Sequence, residues 1–501
     1  MHVLRDGRRG APKRLLTASV ASGLLLASAS AWAQAAPPAG HEDQAFDFMN
    51  LLSQHGLHDI DDESWNLYGQ FTYISSSQLP FHAPYTNANG SINSLVPDSE
   101  RSFTGSFTLF FGLRLWPGAQ AYFVPEVIAE RPLSNLRGLG GAIQNFELQK
   151  TGSETPQLYR SRTFLRQTFG FGGAPVEQTS DPMQLGGVVD SRRLVVTLGT
   201  FTILDVFDRN SITWDPRQTF LNMAFMTYPA WDFAADARGY SFGATVELYW
   251  DDWAARIGRM APPENPNSLA LDYRLWKYYG DALELEHDHV LLGQAGAVRI
   301  LGYRNYEYIA RFADAIAALR SDPNMNAAAC TSYSYYNSNN YGFGNPTAPD
   351  LCWARKGNTK LGIGLNVEQH ITDDIGVFFR GMYSDGQSEV DAFDPADRSL
   401  SFGAVAKGSS WHRPFDVTGV GYGSAWISGI HAQYLAMGGV DGFVGDGHLR
   451  QGAEQVFDAF YNVSFVKAIW LTADYQRIWN PGFNADRGPV NILGGRVHAE
   501  F

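Results

Sequence analysis

Residues 240–260 read YSFGATVELYWDDWAARIGRM, and this stretch decides the fold. Tyr240, Phe242, Ala244, Val246, Leu248 and Trp250 share one parity; Ser241, Gly243, Thr245, Glu247 and Tyr249 share the other. Successive side chains of a β-strand point to opposite faces, so the run predicts a strand with one apolar and one polar face. Asp251-Asp252 supplies a tight turn, and a second alternating strand starts at Trp253. Strands of about ten residues match a tilted crossing of the hydrocarbon layer, whereas strands of soluble sandwiches commonly run ~5–6 residues. The stretch therefore reads as two membrane-crossing strands, with lipid on one side and water on the other.

The same alternation recurs outward from this hairpin. Phe107, Leu109, Phe111, Leu113 and Leu115 oppose Ser106, Thr108 and Arg114; Leu361, Ile363, Leu365 and Val367 oppose Lys360, Asn366 and Glu368. At the C-terminus Leu493, Gly495, Val497, Ala499 and Phe501 oppose Arg496, His498 and Glu500. Sixteen strands are predicted, over residues 65–75, 104–115, 119–130, 158–169, 193–201, 240–250, 253–260, 283–291, 297–306, 359–370, 374–384, 399–407, 425–436, 453–465, 469–478 and 490–501. Their connections alternate. Residues 116–118, 251–252, 292–296, 371–373 and 466–468 are tight turns, and residues 76–103, 131–157, 202–239 and 306–358 are long loops. Residues 170–192 and 408–424 are too long for simple turns. The fold class is all-β: a transmembrane antiparallel up-and-down β-barrel with long extracellular loops, short periplasmic turns and both termini in the periplasm. Trp116, Trp250, Trp253, Trp426, Trp470 and Phe501 stand at strand ends, where an interfacial aromatic girdle belongs.

Composition narrows the classes further. The 501 residues are 45% hydrophobic and 18% charged, which excludes a disordered chain. Beyond the N-terminus no apolar run reaches the ~18 residues of a spanning helix. Residues 1–33 read as a signal peptide: Arg5, Arg8, Arg9, Lys13 and Arg14 precede an apolar stretch from Leu15, and Ala31-Trp32-Ala33 has the small-x-small cleavage pattern. Its removal takes away five bases and one acid and moves the formal charge from −13 to −17, which argues against nucleic acid as a partner. Residues 34–64 form a periplasmic N-terminal segment, and the barrel occupies residues 65–501. The two cysteines, Cys330 and Cys352, flank a Tyr/Asn/Ser/Gly-rich stretch; an exported protein favours a disulfide there over two free thiols.

The lumen-facing parity carries the chemistry. Arg160, Arg162 and Arg166 fall on one face of their strand, and a guanidinium costs roughly 2–4 kcal/mol at the lipid midplane. They are expected to face the lumen, as are Arg114, Glu126, Glu247, Arg256, Arg299, Arg380, Asp458 and Asp474. Guanidinium groups, carboxylates and aromatic rings suit sugars, whose hydroxyls both accept and donate hydrogen bonds. The same charges would equally solvate a wide channel. The long loop 202–239 carries Asp205, Asp208, Trp214, Asp215, Arg217 and Trp231 together with Leu221, Met223, Phe225 and Met226, which need burial. It either folds into the barrel as a constriction or packs outside as a lid. His287 and His289 share a strand face without a third ligand, so no metal is assigned. Asp385, Asp391, Asp394 and Asp397 read as a solvated acidic loop rather than a calcium loop, because their spacing departs from the compact Asp-x-Asp-x-Asp-Gly pattern. No nucleophile elbow, phosphate-binding loop or dinucleotide fingerprint occurs, which argues against an enzyme and against any cofactor. An outer-membrane lipase would need a Ser/His/acid set at the lipid face, and none is apparent.

Several long strings occur in a fixed order: VFDRNSITWDPRQTFLNMAF from Val206, WDFAADARGYSFGATVEL from Trp231, NVEQHITDDIGVFFRGMYSDG from Asn366, WHRPFDVTGVGYG from Trp411, VDGFVGDGHL from Val440 and NPGFNADRGPV from Asn480. In these strings residues 158–501 resemble the carbohydrate-selective outer-membrane porins of OprB type. The resemblance implies a monomeric sixteen-stranded barrel in the outer membrane of a Gram-negative bacterium, passing glucose and similar small sugars by facilitated diffusion. It implies that Arg160, Arg162 and Arg166 are eyelet arginines with Glu126 as their partner on the preceding strand. The terminal Phe501 is similar to the signal by which outer-membrane barrels engage the barrel-assembly machinery, leaving small sugars and outer-membrane lipids as the other partners. Residues 34–129 depart from the family pattern, with an acidic stretch at residues 59–63. A general diffusion porin without sugar specificity is the alternative.

Overall fold

A computed structural model describes residues 48–148, 152–213, 215–322, 347–466 and 468–501. Residues 1–33, Trp214 and Cys330 lie outside the described residues, and with them the signal peptide, one loop aromatic and the Cys330–Cys352 pairing. A short helix, α1 (Phe48–Gln54), precedes β1 (Trp65–Gln78), β2 (Glu100–Trp116), β3 (Ala119–Arg131) and β4 (Gln157–Gly170). A small hairpin follows, β5 (Pro175–Gln178) with β6 (Gly187–Asp190). Then come β7 (Arg192–Phe201), α2 (Met223–Met226), β8 (Ser241–Trp250), β9 (Trp253–Met260), β10 (Tyr279–Leu291), β11 (Gln294–Ile309) and α3 (Phe312–Ser321). The chain closes with β12 (Lys356–His370), β13 (Ile375–Ser384), β14 (Arg398–Gly408), β15 (Arg413–Trp426), α4 (Gly429–Ala436), β16 (Glu454–Val466), β17 (Ile469–Trp479) and β18 (Val490–Glu500).

Among the described residues, sixteen strands close a barrel in which each pairs antiparallel with its neighbours along the chain, the hairpin β5–β6 standing apart. β1 closes the ring on β18, with Gln70 opposite Glu500 and Gln78 opposite Ile492. No described helix is long and apolar enough to cross a membrane. The period-two pattern survives in burial: along β8, Val246, Leu248 and Trp250 are exposed outward while Thr245, Glu247 and Tyr249 are buried inward. Trp116, Trp250 and Trp253 stand exposed on the outer face at the short turns, as an interfacial girdle requires. Trp470 does not join them: it is fully buried on the inward face beside His498.

One expected strand is misplaced. Residues 429–436 form α4 rather than a strand, capped by Ser428, whose hydroxyl accepts from the His431 N–H at 3.2 Å. The strand itself lies earlier, over Arg413–Trp426. Its outward face mixes Thr418 and Ser424 with Val420, Tyr422 and Trp426, and its inward face is glycine at 419, 421 and 423, so the apolar–polar contrast that marks a strand is weak. The shift also turns the anomalous connection 408–424 into the short turn 409–412, whereas residues 171–191 remain a long connection at the short-turn end.

The apolar core lies inside the barrel and is built mostly from loops. Leu139 and Ile143 from loop 132–156 cluster with Phe207, Phe220, Phe225 and Trp231 from loop 202–240, Phe312 of α3 and Tyr434 of α4. Glu454 on β16 anchors the first of these loops by accepting from the backbone N–H groups of Gly140, Gly141 and Ala142. From the short-turn end, α1 also enters the lumen. Met49 is fully buried against Tyr68, Phe110 and Val124, all inward residues of β1 to β3. The acidic stretch after it is partly internal: Glu63 is fully buried, bonded to His58 at 2.9 Å and accepting from the Gly186 N–H at 2.7 Å.

Candidate functional site

Loop 202–240 folds into the barrel, which decides between the two expectations for it. Thr202 and Asp205 start it with a reciprocal cap: the Thr202 side chain accepts from the Leu204 N–H, and Asp205 accepts from the Thr202 N–H at 3.3 Å. It then crosses to the far wall. The Asn222 N–H donates to Asp458 on β16 at 3.2 Å, and its side-chain amide donates to Gln476 on β17 at 2.8 Å. Arg496 on β18 donates to the Pro216 and Thr219 carbonyls. Phe225 and Phe220 lie on β15, where a Cβ at Gly421 would stand 2.6 Å from the Phe225 ring and one at Gly419 would stand 3.1 Å from Phe220. Only glycine leaves room for these rings against the strand.

A charged ladder on β8 to β13 receives the near half of the loop. Arg256 meets Glu247 at 3.5 Å, Glu284 at 2.9 Å and Glu286 at 3.0 Å; Arg299 pairs with Glu286 and reaches Glu368 at 3.4 Å. The loop docks on this ladder through the Asp208 N–H, which donates to Glu284 at 2.8 Å, and the Ser211 N–H, which donates to Glu368. Arg380 on β13 is the central anchor, donating to Asp208 at 3.0 Å, to the Thr213 hydroxyl at 2.7 Å and to the Phe225 carbonyl at 2.8 Å. Burial pushes the Asp208 carboxyl up, while Arg380 and the Thr227 hydroxyl pull it back. Glu247, Arg256, Arg299 and Arg380 thus face inward and are buried, with Arg380 directly beneath the loop. Burying an ion pair is favourable only with further hydrogen bonds of this kind.

The expected row of three arginines separates into three environments. A bulge in β4 sets Val124 opposite Arg162 but Pro125 opposite Arg160, with Ser161 buried and donating to the Val124 carbonyl at 2.8 Å. An extra residue in one strand inverts the alternation beyond it. Arg160 is therefore exposed on the outward face with Leu158, correcting its expected place in the lumen. Arg166 faces inward but lies under the segment after β5, donating to the Met183 carbonyl at 2.9 Å, with its guanidinium 5.5 Å from the Tyr122 ring. Arg114 is drawn off likewise, donating to the carbonyls of Glu63 at 2.7 Å and Gly186 at 3.0 Å and meeting Asp62 at 3.1 Å.

Of the three, Arg162 alone meets the start of the inward loop. It forms a bidentate pair with Asp205, at 2.7 and 2.8 Å, and lies 5.2 Å from the Tyr240 ring centroid. Glu126 is fully buried beside it and accepts from the Tyr159 and Thr108 hydroxyls. Arg238 sits 4.4 Å over the Tyr159 ring, whose centroid is 6.0 Å from that of Tyr240. Arg217 on the crossing loop donates to Glu147 at 2.9 Å, and Glu147 also accepts from Ser106 at 2.7 Å and Thr104 at 3.1 Å. Both Arg162 and Arg217 act electrostatically on Glu126 and Tyr240, so the four groups share one neighbourhood. Glu147 and Tyr159 carry no mark of their own in the sequence, and Tyr240, which parity places on the lipid-facing side, is buried inside one residue before β8 begins. The signal for Glu147 is the one that flagged loop 202–239: loop 132–156 is also long and carries Leu133, Leu136, Leu139 and Ile143. Asp215 serves its own turn, accepting from the Arg217 N–H at 2.8 Å, and Trp231 is buried between Tyr228 and Phe233 in the core. Among the described residues no group of three or more His, Cys, Asp and Glu is placed to hold a metal ion, and His287 stacks on Trp253 at 4.3 Å.

A family model described as carbohydrate-selective porin, OprB family, matches residues 103–501. Among solved structures the chain is similar to OprB of Pseudomonas putida, at 16% identity and a TM-score of 0.60, over 87% of this chain and 94% of that one. It also resembles the outer-membrane channel DcaP of Acinetobacter baumannii, at 11% identity and a TM-score of 0.46, over 87% and 97% of the two chains. No curated protein sequence matches it. With the family model running from β2 to the C-terminus of a closed sixteen-stranded barrel, the chain belongs to the OprB family of carbohydrate-selective porins and is a channel of the Gram-negative outer membrane.

Proposed function

We propose that small sugars, glucose among them, diffuse down their gradient through a constriction at which Arg162 and Arg217 flank Glu126 and Tyr240. The observation that carries this reading is donor capacity left over at the two guanidinium groups. Arg162 spends Nε and Nη2 on Asp205, and Arg217 spends one nitrogen on Glu147. Among the described residues neither Nη1 has a hydrogen-bond partner, and the buried Arg217 Nε has none either. A sugar hydroxyl entering here exchanges bonds with water for bonds to a guanidinium, and its C–H faces lie against Tyr159 and Tyr240. The pairs with Asp205 and Glu147 hold the arginines still, so the donors point at the passage without rearrangement. Contact stays weak, because a tight site would slow release. No covalent step and no cofactor enters.

Planar-bilayer recording under a glucose titration, with liposome swelling in a panel of sugars, tests this. Glucose lowers the ion current of the native channel in a saturable manner. In Arg162→Ala and in Arg217→Ala the half-saturating concentration rises about tenfold, the loss of one hydrogen bond to a charged group at roughly 1.5–3 kcal/mol. Ion current unaffected by any sugar, with all sugars swelling liposomes according to size alone, would establish a general diffusion porin instead. A further role of the barrel as a monomer inserted through its Phe501-terminated strand is part of the same proposal; Phe501 closes the ring beyond β18 by exchanging two backbone hydrogen bonds with Gly69.

A further inference from the structure

Away from the constriction, towards the long-loop end, β11 and loop 385–397 enclose a group of buried charges that the channel reading does not use. The loop expected to be a solvated acidic surface is internal: Asp391 is 1% exposed and Asp397 2%. Most of the carboxylates there are fully engaged. Asp232 accepts from Lys360 Nζ at 2.8 Å and from the N–H groups of Asp391 and Ala392. Glu389 pairs with Arg355 in a bidentate geometry, at 2.7 and 2.6 Å. Asp394 leaves its buried Oδ1 without a partner. Glu307 on β11 and Asp391 on the loop are left with none at either oxygen. They face each other within hydrogen-bonding reach, and all four of their carboxylate oxygens are buried with no donor bonded to them. Four acids, Asp232, Glu307, Glu389 and Asp391, thus meet two bases, Lys360 and Arg355, and both bases are already committed to the other two acids.

An unpaired buried carboxylate costs several kcal/mol, and two in contact cost more. Two unsatisfied negative charges are balanced by one divalent cation or by two protons. The donor set is oxygen only, with no sulfur or imidazole in it, which suits a hard cation; two carboxylates that can each bind through both oxygens suit the large, irregular shell of calcium better than the strict octahedron of magnesium. We propose that Glu307 and Asp391 hold a calcium ion, with water completing its shell, and that the ion pins loop 385–397 to the barrel wall. The partner chemistry is a divalent metal taken from the external medium, at the modest affinity of extracellular calcium modules, in the range of about 10⁻⁴–10⁻³ M.

The test uses the full-length porin in detergent, stripped with EDTA and dialysed against radioactive calcium at pH 8, with heat-modifiable gel migration as the measure of folding. The native protein is expected to bind one calcium ion per chain and to denature at a higher temperature when calcium is present. Asp391→Asn weakens binding at least about tenfold, and Glu307→Gln with Asp391→Asn abolishes it together with the calcium-dependent rise. The double variant keeps its volume and removes both buried charges, so it still folds and migrates as a barrel. Calcium binding that persists in the folded double variant would overturn the proposal. So would a native protein that binds no calcium and whose thermal stability, unchanged by EDTA, falls as pH rises through neutrality; that outcome identifies a proton shared between the two carboxyls.

Discussion

Replacement of Arg380 by alanine tests whether the inward loop is held by a buried ion pair. Arg380 is 1% exposed and makes four hydrogen bonds to the loop, at 2.7, 2.8, 3.0 and 3.4 Å, one of them to the carboxylate of Asp208. Removing one partner of a buried pair costs about 3–5 kcal/mol, because the other charge is stranded. Asp208 would keep its Thr227 and Asn366 donors, and burial already pushes its carboxyl up, so it can take a proton and limit the loss towards the lower figure. At 1.4 kcal/mol per factor of ten, ~3 kcal/mol raises the population of the undocked loop roughly a hundredfold. Undocking widens the channel, so single-channel recordings of Arg380→Ala should show larger conductance, new open-channel noise and weaker block by glucose. The double variant Arg380→Met with Asp208→Asn removes both charges and should recover most of the native conductance, since an apolar replacement of a buried pair is often near neutral. Native conductance, noise and block in Arg380→Ala would refute the docking role.

Arg160→Ala should leave glucose block and liposome swelling at native levels, because the bulge in β4 turns Arg160 away from the lumen; a change as large as that of Arg162→Ala would contradict the register. Deleting residues 34–54 removes Met49 from its contact with Val124, which lies opposite Arg162, so single-channel conductance should rise; an unchanged value would mean that α1 does not narrow the passage. In loop 427–453, burial pushes the Asp441 carboxyl from 3.8 up to about 7. The folded state then holds a proton that the unfolded chain has released, so this group's contribution to stability falls as pH rises between those values and is constant above. Asp441→Asn should flatten the pH dependence of the denaturation temperature across that window, and an unaltered slope would show that the group does not titrate there.

Strand identity was legible because lipid imposes it. An outward side chain meets hydrocarbon all along a strand, so apolar residues recur at period two whatever the interior does, and fifteen of the sixteen expected strands coincide with observed ones. The exception, β15, is the strand whose inward face is glycine. The lumen was far less legible, for two physical reasons. Parity predicts a face only while the strand is regular, and a single bulge sent Arg160 outward while Arg162 remained inside. Parity also says nothing of what lies opposite an inward residue. Arg256, Arg299 and Arg380 were read as lining water, yet they are buried, Arg380 directly beneath loop 202–240, and Arg114 and Arg166 are taken by residues 63 and 183–186. Composition did mark the loop, since Leu221, Met223 and Phe225 had to be buried somewhere, but it could not choose between inside and outside.

The strings that carry the family resemblance sit mainly where that ambiguity is resolved. VFDRNSITWDPRQTFLNMAF and most of WDFAADARGYSFGATVEL are the crossing loop, and WHRPFDVTGVGYG supplies the glycine face against which Phe220 and Phe225 lie. VDGFVGDGHL and NPGFNADRGPV belong to loops that enter the same interior, with Phe443 and Phe483 both in the core. A barrel wall tolerates any apolar residue facing lipid, whereas a loop seated against a glycine strip tolerates almost none of its neighbours changing, because close packing leaves no slack for an added methyl group. The wall and the filling are therefore separable. Wall strands are held by backbone hydrogen bonds around the closed ring, and the loops inside it are held by Arg380, Glu454, Lys360 and Arg496; under the proposed function these loops set the diameter of the passage. Substitutions at those four anchors should alter what passes while the barrel still assembles, and substitutions on the outer face should affect assembly with little effect on passage.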